Sequence, residues 1–271
     1  MSAIDQTFDA LRRENRKALI PFVTGGDPDT AFTQRVLRRL SDLGCSVGEV
    51  GIPYSDPIAD GPVIQASYQR ALDRKTRLDA IMRATAEVSP SLKMPLVSMV
   101  SYAIIHRRGA ARYIADAQAA GFSGAIVPDL LVEESPALVK ECRAADFSLI
   151  QLVTPTTTDD RAVRIAERSS GFIYFVSVTG ITGERAQMPP NLVERVQWLK
   201  DRTPLPVCIG FGISRPEHVQ LLGPVADGLI VGSAIVRHLE RAGGDPDAAL
   251  EAIDSLVRSL LAELHGERVR A

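Results

Sequence analysis

Short runs of Val, Ile and Leu alternate with helix-patterned segments along the whole chain, at a period of roughly 25 to 35 residues. Strand-like runs fall at 18–24, 47–50, 95–100, 124–127, 147–153, 172–177, 206–210 and 227–231. Helical spacing occupies 4–16, 29–43, 63–72, 78–88, 110–120, 133–144, 159–167, 191–200, 214–222 and 247–265. A strand apolar on both faces and followed by a helix belongs to a parallel sheet covered on both sides. Eight such units favour a closed (β/α)8 barrel, an α/β fold, over an open doubly wound sheet. An extra helix precedes the barrel, and short extra helices are expected in the loops after the second and eighth strands. The turn after the first strand, Gly25-Gly-Asp-Pro28, lacks the Gly-x-Gly-x-x-Gly of a dinucleotide site. No shift of composition marks a boundary, so residues 1–271 are expected to form a single domain.

Composition narrows the function classes. A formal net charge of −2 argues against a nucleic-acid partner. No stretch has the length of a membrane span and the first residues lack a basic-then-apolar leader, which predicts a cytoplasmic protein with no membrane partner. Cys45, Cys142 and Cys208 are scattered, as are His106, His218, His238 and His265, so reduced cysteines and no metal site are expected.

In such a barrel the chemistry lies at the carboxyl ends of the strands. The second strand carries Glu49 among apolar neighbours and breaks at Ile52-Pro53 into a loop with Asp56 and Asp60. An ionised carboxylate inside an apolar strand is costly unless it is paired or its pKa rises, so Glu49 is read as catalytic. A salt-bridged residue near a sheet edge is the alternative. Aspartate in a Pro-Gly loop is also an ordinary turn former or helix cap, and Asp60 alone decides little. The other strand ends deliver Phe22, Thr24, Tyr102 and Tyr174. The segment 177–190, rich in Gly and Thr, has the length and composition of a lid.

The last two strands end in Gly210-Phe-Gly-Ile-Ser214 and Gly232-Ser-Ala-Ile235. Glycine and serine between a strand and a helix leave backbone N–H groups to meet an anion, and Gly212, Gly232 and Ser233 are read as a phosphate site. The chain has no Gly-x-x-x-x-Gly-Lys-Ser/Thr loop, so a sugar-phosphate type of group is expected rather than a nucleotide.

Five segments carry a resemblance: Pro21-Phe-Val-Thr-Gly-Gly-Asp-Pro28, Glu49-Val-Gly-Ile-Pro-Tyr-Ser-Asp-Pro-Ile-Ala-Asp-Gly-Pro62, Ser177-Val-Thr-Gly-Ile-Thr-Gly183, Gly210-Phe-Gly-Ile-Ser214 and Val231-Gly-Ser-Ala-Ile-Val236. In this order along the chain, they resemble the alpha-subunit family of tryptophan synthase. The resemblance implies cleavage of indole-3-glycerol phosphate to indole and glyceraldehyde 3-phosphate. It implies that Glu49 and Asp60 are catalytic, that Tyr174 and the lid residue Thr182 lie beside substrate, and that Gly183, Gly212, Gly232 and Ser233 hold the phosphate. Phe22 and Phe211 become wall and backbone contributors. It also implies a beta-subunit partner in an αββα complex, with pyridoxal phosphate on that partner and no cofactor on this chain.

The chemistry suits these residue types. An indole carbanion is a poor leaving group, so C3 is protonated first, and the positive charge then placed on N1 needs a fixed carboxylate, a role for Asp60. Glu49, with a pKa raised by burial, serves as the acid and base. Three other readings remain: a barrel isomerase or cyclase with the same phosphate site, a catalytically idle barrel acting only as a binding or regulatory subunit, and a lyase working without a beta partner. The last is kept open by two departures from the family. After the third strand, Tyr102-Ala-Ile-Ile105 reads as a turn in which Ile104 and Ile105 add apolar surface where Asn-Pro is common. After the fourth, Leu131 stands where proline is common.

Overall fold

The computed structural model describes residues 1–57, 60–177, 191–210 and 212–266. Their strands are β1 Ala18–Thr24, β2 Gly48–Gly51, β3 Leu96–Met99, β4 Phe122–Ile126, β5 Ser148–Ile150, β6 Leu152–Val153, β7 Ile173–Val176, β8 Val207–Gly210 and β9 Gly228–Val231. All pair in parallel, in the order β5-β4-β3-β2-β1-β9-β8-β7-β6. The two ends of that order, β5 and β6, are separated in the chain by Gln151 alone, so the sheet closes on itself as an eight-position α/β barrel. The expected strand 147–153 is thus two pieces. The first pairs with β4 and the second with β7, and the change of partner falls on Gln151.

The helices are α1 Ala3–Arg13, α2 Thr30–Asp42, α3 Pro62–Asp73, α4 Leu78–Val88, α5 Tyr102–Arg108, α6 Ala110–Ala119, α7 Pro136–Ala144, α8 Asp159–Arg168, α9 Leu192–Lys200, α10 Pro216–Leu222, α11 Ser233–Arg241 and α12 Pro246–Leu264. The extra helices expected after the second and eighth strand positions are present as α3 and α11. A capping box of Ser2 and Asp5 starts α1, whose Ile4, Phe8 and Leu11 are buried. Ile4 lies beneath Gly124 and Gly171, and the Ser2 and Ser148 hydroxyls are 2.8 Å apart, so α1 seals the amino-terminal end of the barrel.

One expectation is corrected here. Residues 102–105 are the first turn of α5 and not a loop turn. Ser101 caps the helix, its hydroxyl accepting from the Ala103 amide while donating to Asp129 at 2.6 Å, and Asp129 also accepts from the Tyr102 amide at 2.8 Å. Helical winding turns Ile105 into the core, where it is 1 % exposed, and packs Ile104 against it. Ile105 adds none of the apolar surface that a turn would have displayed, and Ile104 shows only part of its side chain. Leu131, in contrast, is 52 % exposed.

Strand alternation sets the inner face. Ser98 meets the Tyr113 hydroxyl of α6 at 2.8 Å and therefore faces outward, which turns Val97 and Met99 inward. Through the register, Phe22, Glu49 and Val97 form one inward layer, and Thr24, Gly51 and Met99 form the next layer towards the mouth.

Candidate active site

Glu49 is fully buried, and neither carboxyl oxygen has a hydrogen-bond partner. Its neighbours in the layer are apolar, so nothing replaces the water an ionised carboxylate would lose. Burial first, and then the charge of Asp60, pushes its pKa up to about 8. Asp60 is 7 % exposed and sits immediately before Gly61, the N-cap of α3. Its amide donates to the Pro57 carbonyl at 3.0 Å, and its carbonyl accepts from Gln65 Nε2 at 2.7 Å, which pins the end of the loop to the first turn of the helix. Burial raises Asp60 to about 6. At neutral pH the pair therefore consists of a protonated Glu49 and an ionised Asp60. Two carboxyls held at different proton affinities can act as an acid and as a fixed negative charge.

Tyr174 on β7 is 4 % exposed and lies across Gly210, where a Cβ would stand 2.4 Å from its hydroxyl oxygen. Its phenol is held well above the ordinary range by burial and by the nearby charges of Glu49 and Asp60. Phe22 is inward beside Glu49, and its ring tip approaches Gly51 so closely that a Cβ there would lie 2.4 Å from Cζ. Phe22 is also a neighbour of Gly232, whose imagined Cβ would stand 3.8 Å from Phe22 Cβ.

Gly232 is the N-cap of α11 and Ser233 its first residue, with no side chain capping the helix. The opening amides of any helix lack a carbonyl one turn back, and the dipole adds positive potential there. Gly212 has φ +79°, a backbone conformation that favours glycine. The amide of Ser214 donates to His218 Nδ1 at 3.2 Å, so that one N–H of the expected anion turn is already engaged. Tyr102 opens α5, half-buried, with its ring centroid 6.0 Å from that of His106. Thr182, Gly183 and Phe211, with the rest of the 178–190 lid, lie outside the described residues.

The fold thus brings Phe22, Glu49, Asp60, Tyr174 and Gly232 to one end of the barrel. It adds Tyr68 of α3, whose hydroxyl is buried without a partner and would stand 2.7 Å from a Cβ at Gly51. Sequence reading missed Tyr68 because Ile64, Tyr68 and Ala71 have ordinary helical core spacing. No group of three or more His, Cys, Asp or Glu suited to a metal occurs among the described residues, and no described helix is long and apolar enough to cross a membrane.

Residues 8–265 match the family model described as tryptophan synthase alpha chain. A tryptophan synthase alpha chain of Rhodopirellula baltica is 56 % identical over 266 residues, covering 94 % of this chain and 96 % of the relative. The structure of tryptophan synthase subunit alpha from Legionella pneumophila superposes with a TM-score of 0.90 at 30 % identity, covering 98 % of this chain and 99 % of that one. A chain from the tryptophan synthase α2β2 complex of Pyrococcus furiosus gives 0.84 at 35 % identity, over 91 % and 99 %.

Proposed function

Because this chain belongs to the tryptophan synthase alpha chain family, we propose that Glu49 and Asp60 divide the work of its reaction between them. The chain is a carbon–carbon lyase of tryptophan biosynthesis that cleaves indole-3-glycerol phosphate to indole and glyceraldehyde 3-phosphate. Glu49, which carries a proton at neutral pH, delivers it to indole C3. The positive charge that results at N1 sits against the Asp60 carboxylate. Glu49, now ionised, takes the proton of the hydroxyl on the adjacent side-chain carbon. As the C=O bond forms, the bond to C3 breaks, and its electron pair returns to the ring and neutralises N1. The phosphate lies at the start of α11, beside Gly232 and Ser233 and the Gly212 turn, with Phe22, Tyr102 and Tyr174 around the indole and Thr182, Gly183 and Phe211 completing the site. These steps are proton transfers and one bond cleavage, so they call for no cofactor on this chain.

The observation that carries this reading is the fully buried and unpartnered Glu49 with Asp60 acting on it. Residues 1–271 act as one barrel domain, and the cytoplasm is the proposed setting, in keeping with three buried, unpaired cysteines. A beta subunit, carrying pyridoxal phosphate, is the proposed partner. The likeness to a chain of the Pyrococcus furiosus α2β2 complex supports it, and the exposed Leu131 after β4 is available to it.

One assay tests the proposal. Indole release from indole-3-glycerol phosphate is measured for the wild type alone, for the wild type with an added beta subunit, and for Glu49→Gln. The variant is expected to lose about hundredfold or more in kcat while still binding ligand, and the beta subunit to stimulate the wild type about tenfold. A variant within a few-fold of wild type removes Glu49 from the mechanism, and an unstimulated but active wild type identifies a lyase that works alone.

A further inference from the structure

The layer above Glu49 is unusual in what it leaves unpaired. Going from Glu49 towards the mouth, the next inward positions on β1, β2 and β3 are Thr24, Gly51 and Met99. Gly51 has no side chain, and its space is taken by the ring tip of Phe22 and by Tyr68 of α3, whose hydroxyl would stand 2.7 Å from a Cβ at Gly51. Gly51 lies two steps along the strand from Glu49, about 6.6 Å of rise. Both hydroxyls of this layer are orphans: Thr24 Oγ1 and the Tyr68 OH are buried and have no partner, as are both oxygens of Glu49. Tyr68 is 1 % exposed and its ring is stacked at a tilt on Tyr54, with centroids 5.7 Å apart, so the hydroxyl is fixed in place by packing and not by hydrogen bonding. The Tyr68 phenol is held well above its ordinary range, so it remains a donor throughout the working pH range.

Buried hydroxyls are almost always paired, and a cluster of orphans beside a reacting group marks where a ligand's polar atoms go. These orphans sit next to the acid that must find a hydroxylated carbon. We infer that Tyr68, with Thr24 beside it, hydrogen-bonds the hydroxyls of the substrate's glycerol side chain. They thereby fix the side-chain rotation that brings the reacting hydroxyl to Glu49 and make the site selective for a hydroxylated over a plain alkyl phosphate. The inference rests on the lyase reading above and names a specificity determinant for that same site.

The test compares two ligands that differ only in those hydroxyls. Indole release from indole-3-glycerol phosphate gives kcat/KM, and inhibition by indole-3-propyl phosphate, which has no side-chain hydroxyl, gives Ki. Tyr68→Phe, which removes one oxygen, is expected to lower kcat/KM about tenfold and leave Ki within about twofold. Thr24→Val, close in shape, is expected to act in the same direction with a smaller effect. The alkaline limb of the kcat/KM profile keeps its position in Tyr68→Phe, because the hydroxyl holds substrate and does not tune Glu49. Equal loss for both ligands, no loss for either in Tyr68→Phe, or a displaced limb would each overturn the inference. Failure of the wild type to release indole would instead overturn the lyase reading itself.

Discussion

Two buried carboxylates, one in the turn after β1 and one on β2, are treated in opposite ways. Asp27, in the turn after β1, is 1 % exposed and fully engaged: Arg70 reaches it with Nε at 3.1 Å and Nη2 at 2.6 Å, and the Ser67 hydroxyl donates to it. Glu49 on the neighbouring strand is equally buried and has no partner at all. The paired acid ties the β1 turn to α3, the helix whose N-terminus follows Asp60 and whose interior carries Tyr68. The unpaired acid keeps both oxygens for another molecule. A buried charge that is matched serves the architecture, and one that is unmatched has its proton affinity raised and is ready for proton transfer.

The sharpest way to break this comparison is to remove the acid that should matter only for the fold. Asp27→Ala leaves Arg70 facing a partly buried space without its partner, and is expected to lower the unfolding free energy by about 3 kcal/mol, measured by denaturant titration. A loss below about 0.5 kcal/mol would mean that the ion pair does not hold α3.

Glu49→Gln is expected to have the opposite sign. A carboxyl whose pKa is raised from 4.5 to about 8 on folding favours the native state while protonated. Folding is therefore penalised progressively as pH rises from about 4.5 to about 8, where the unfolded chain releases the proton and the native state keeps it. The variant escapes this penalty, so its advantage in stability over wild type should grow across that window by up to about 1.4 kcal/mol per pH unit, roughly 5 kcal/mol in all. A constant difference between pH 5 and pH 8 would show that Glu49 does not hold its proton in the native protein.

Gly232→Val extends the comparison to the anion end of the site. Among the described residues a Cβ at Gly232 meets Phe22 alone, at 3.8 Å, so folding should survive the change. The added bulk stands where the phosphate is proposed to lie, so KM is expected to rise about tenfold with little change in kcat. An unaltered KM would move the phosphate elsewhere.

What was legible in the sequence follows from the same physics. The alternation of strands and helices could be read because strands buried on both faces are apolar without interruption, and Glu49 stood out as the exception. The break at Gln151 could not be read, since it depends on which neighbour each half of that strand meets. The helix α5 was taken for a turn because its start is fixed by Asp129, which lies 28 residues after Ser101. Asp27 stood in the turn after the first strand with nothing to mark it, and its pairing with Arg70, 43 residues away, exists only in the fold. Tyr68 was hidden by its regular helical spacing. The residues of the lid were named from resemblance alone.

Whether Glu49 is protonated and Asp60 ionised when the enzyme works is read from the pH dependence of kcat/KM for indole release. With Asp60 raised to about 6 and Glu49 to about 8, activity should fall below the first value as Asp60 gains a proton and above the second as Glu49 loses one. A bell with limbs near those values is expected, and an Asp60→Asn variant whose residual activity lacks the acid limb and has its alkaline limb moved to lower pH, because the Asp60 charge no longer raises Glu49. A rate that stays level from pH 5 to pH 9, or an alkaline limb that persists in Glu49→Gln, would contradict it.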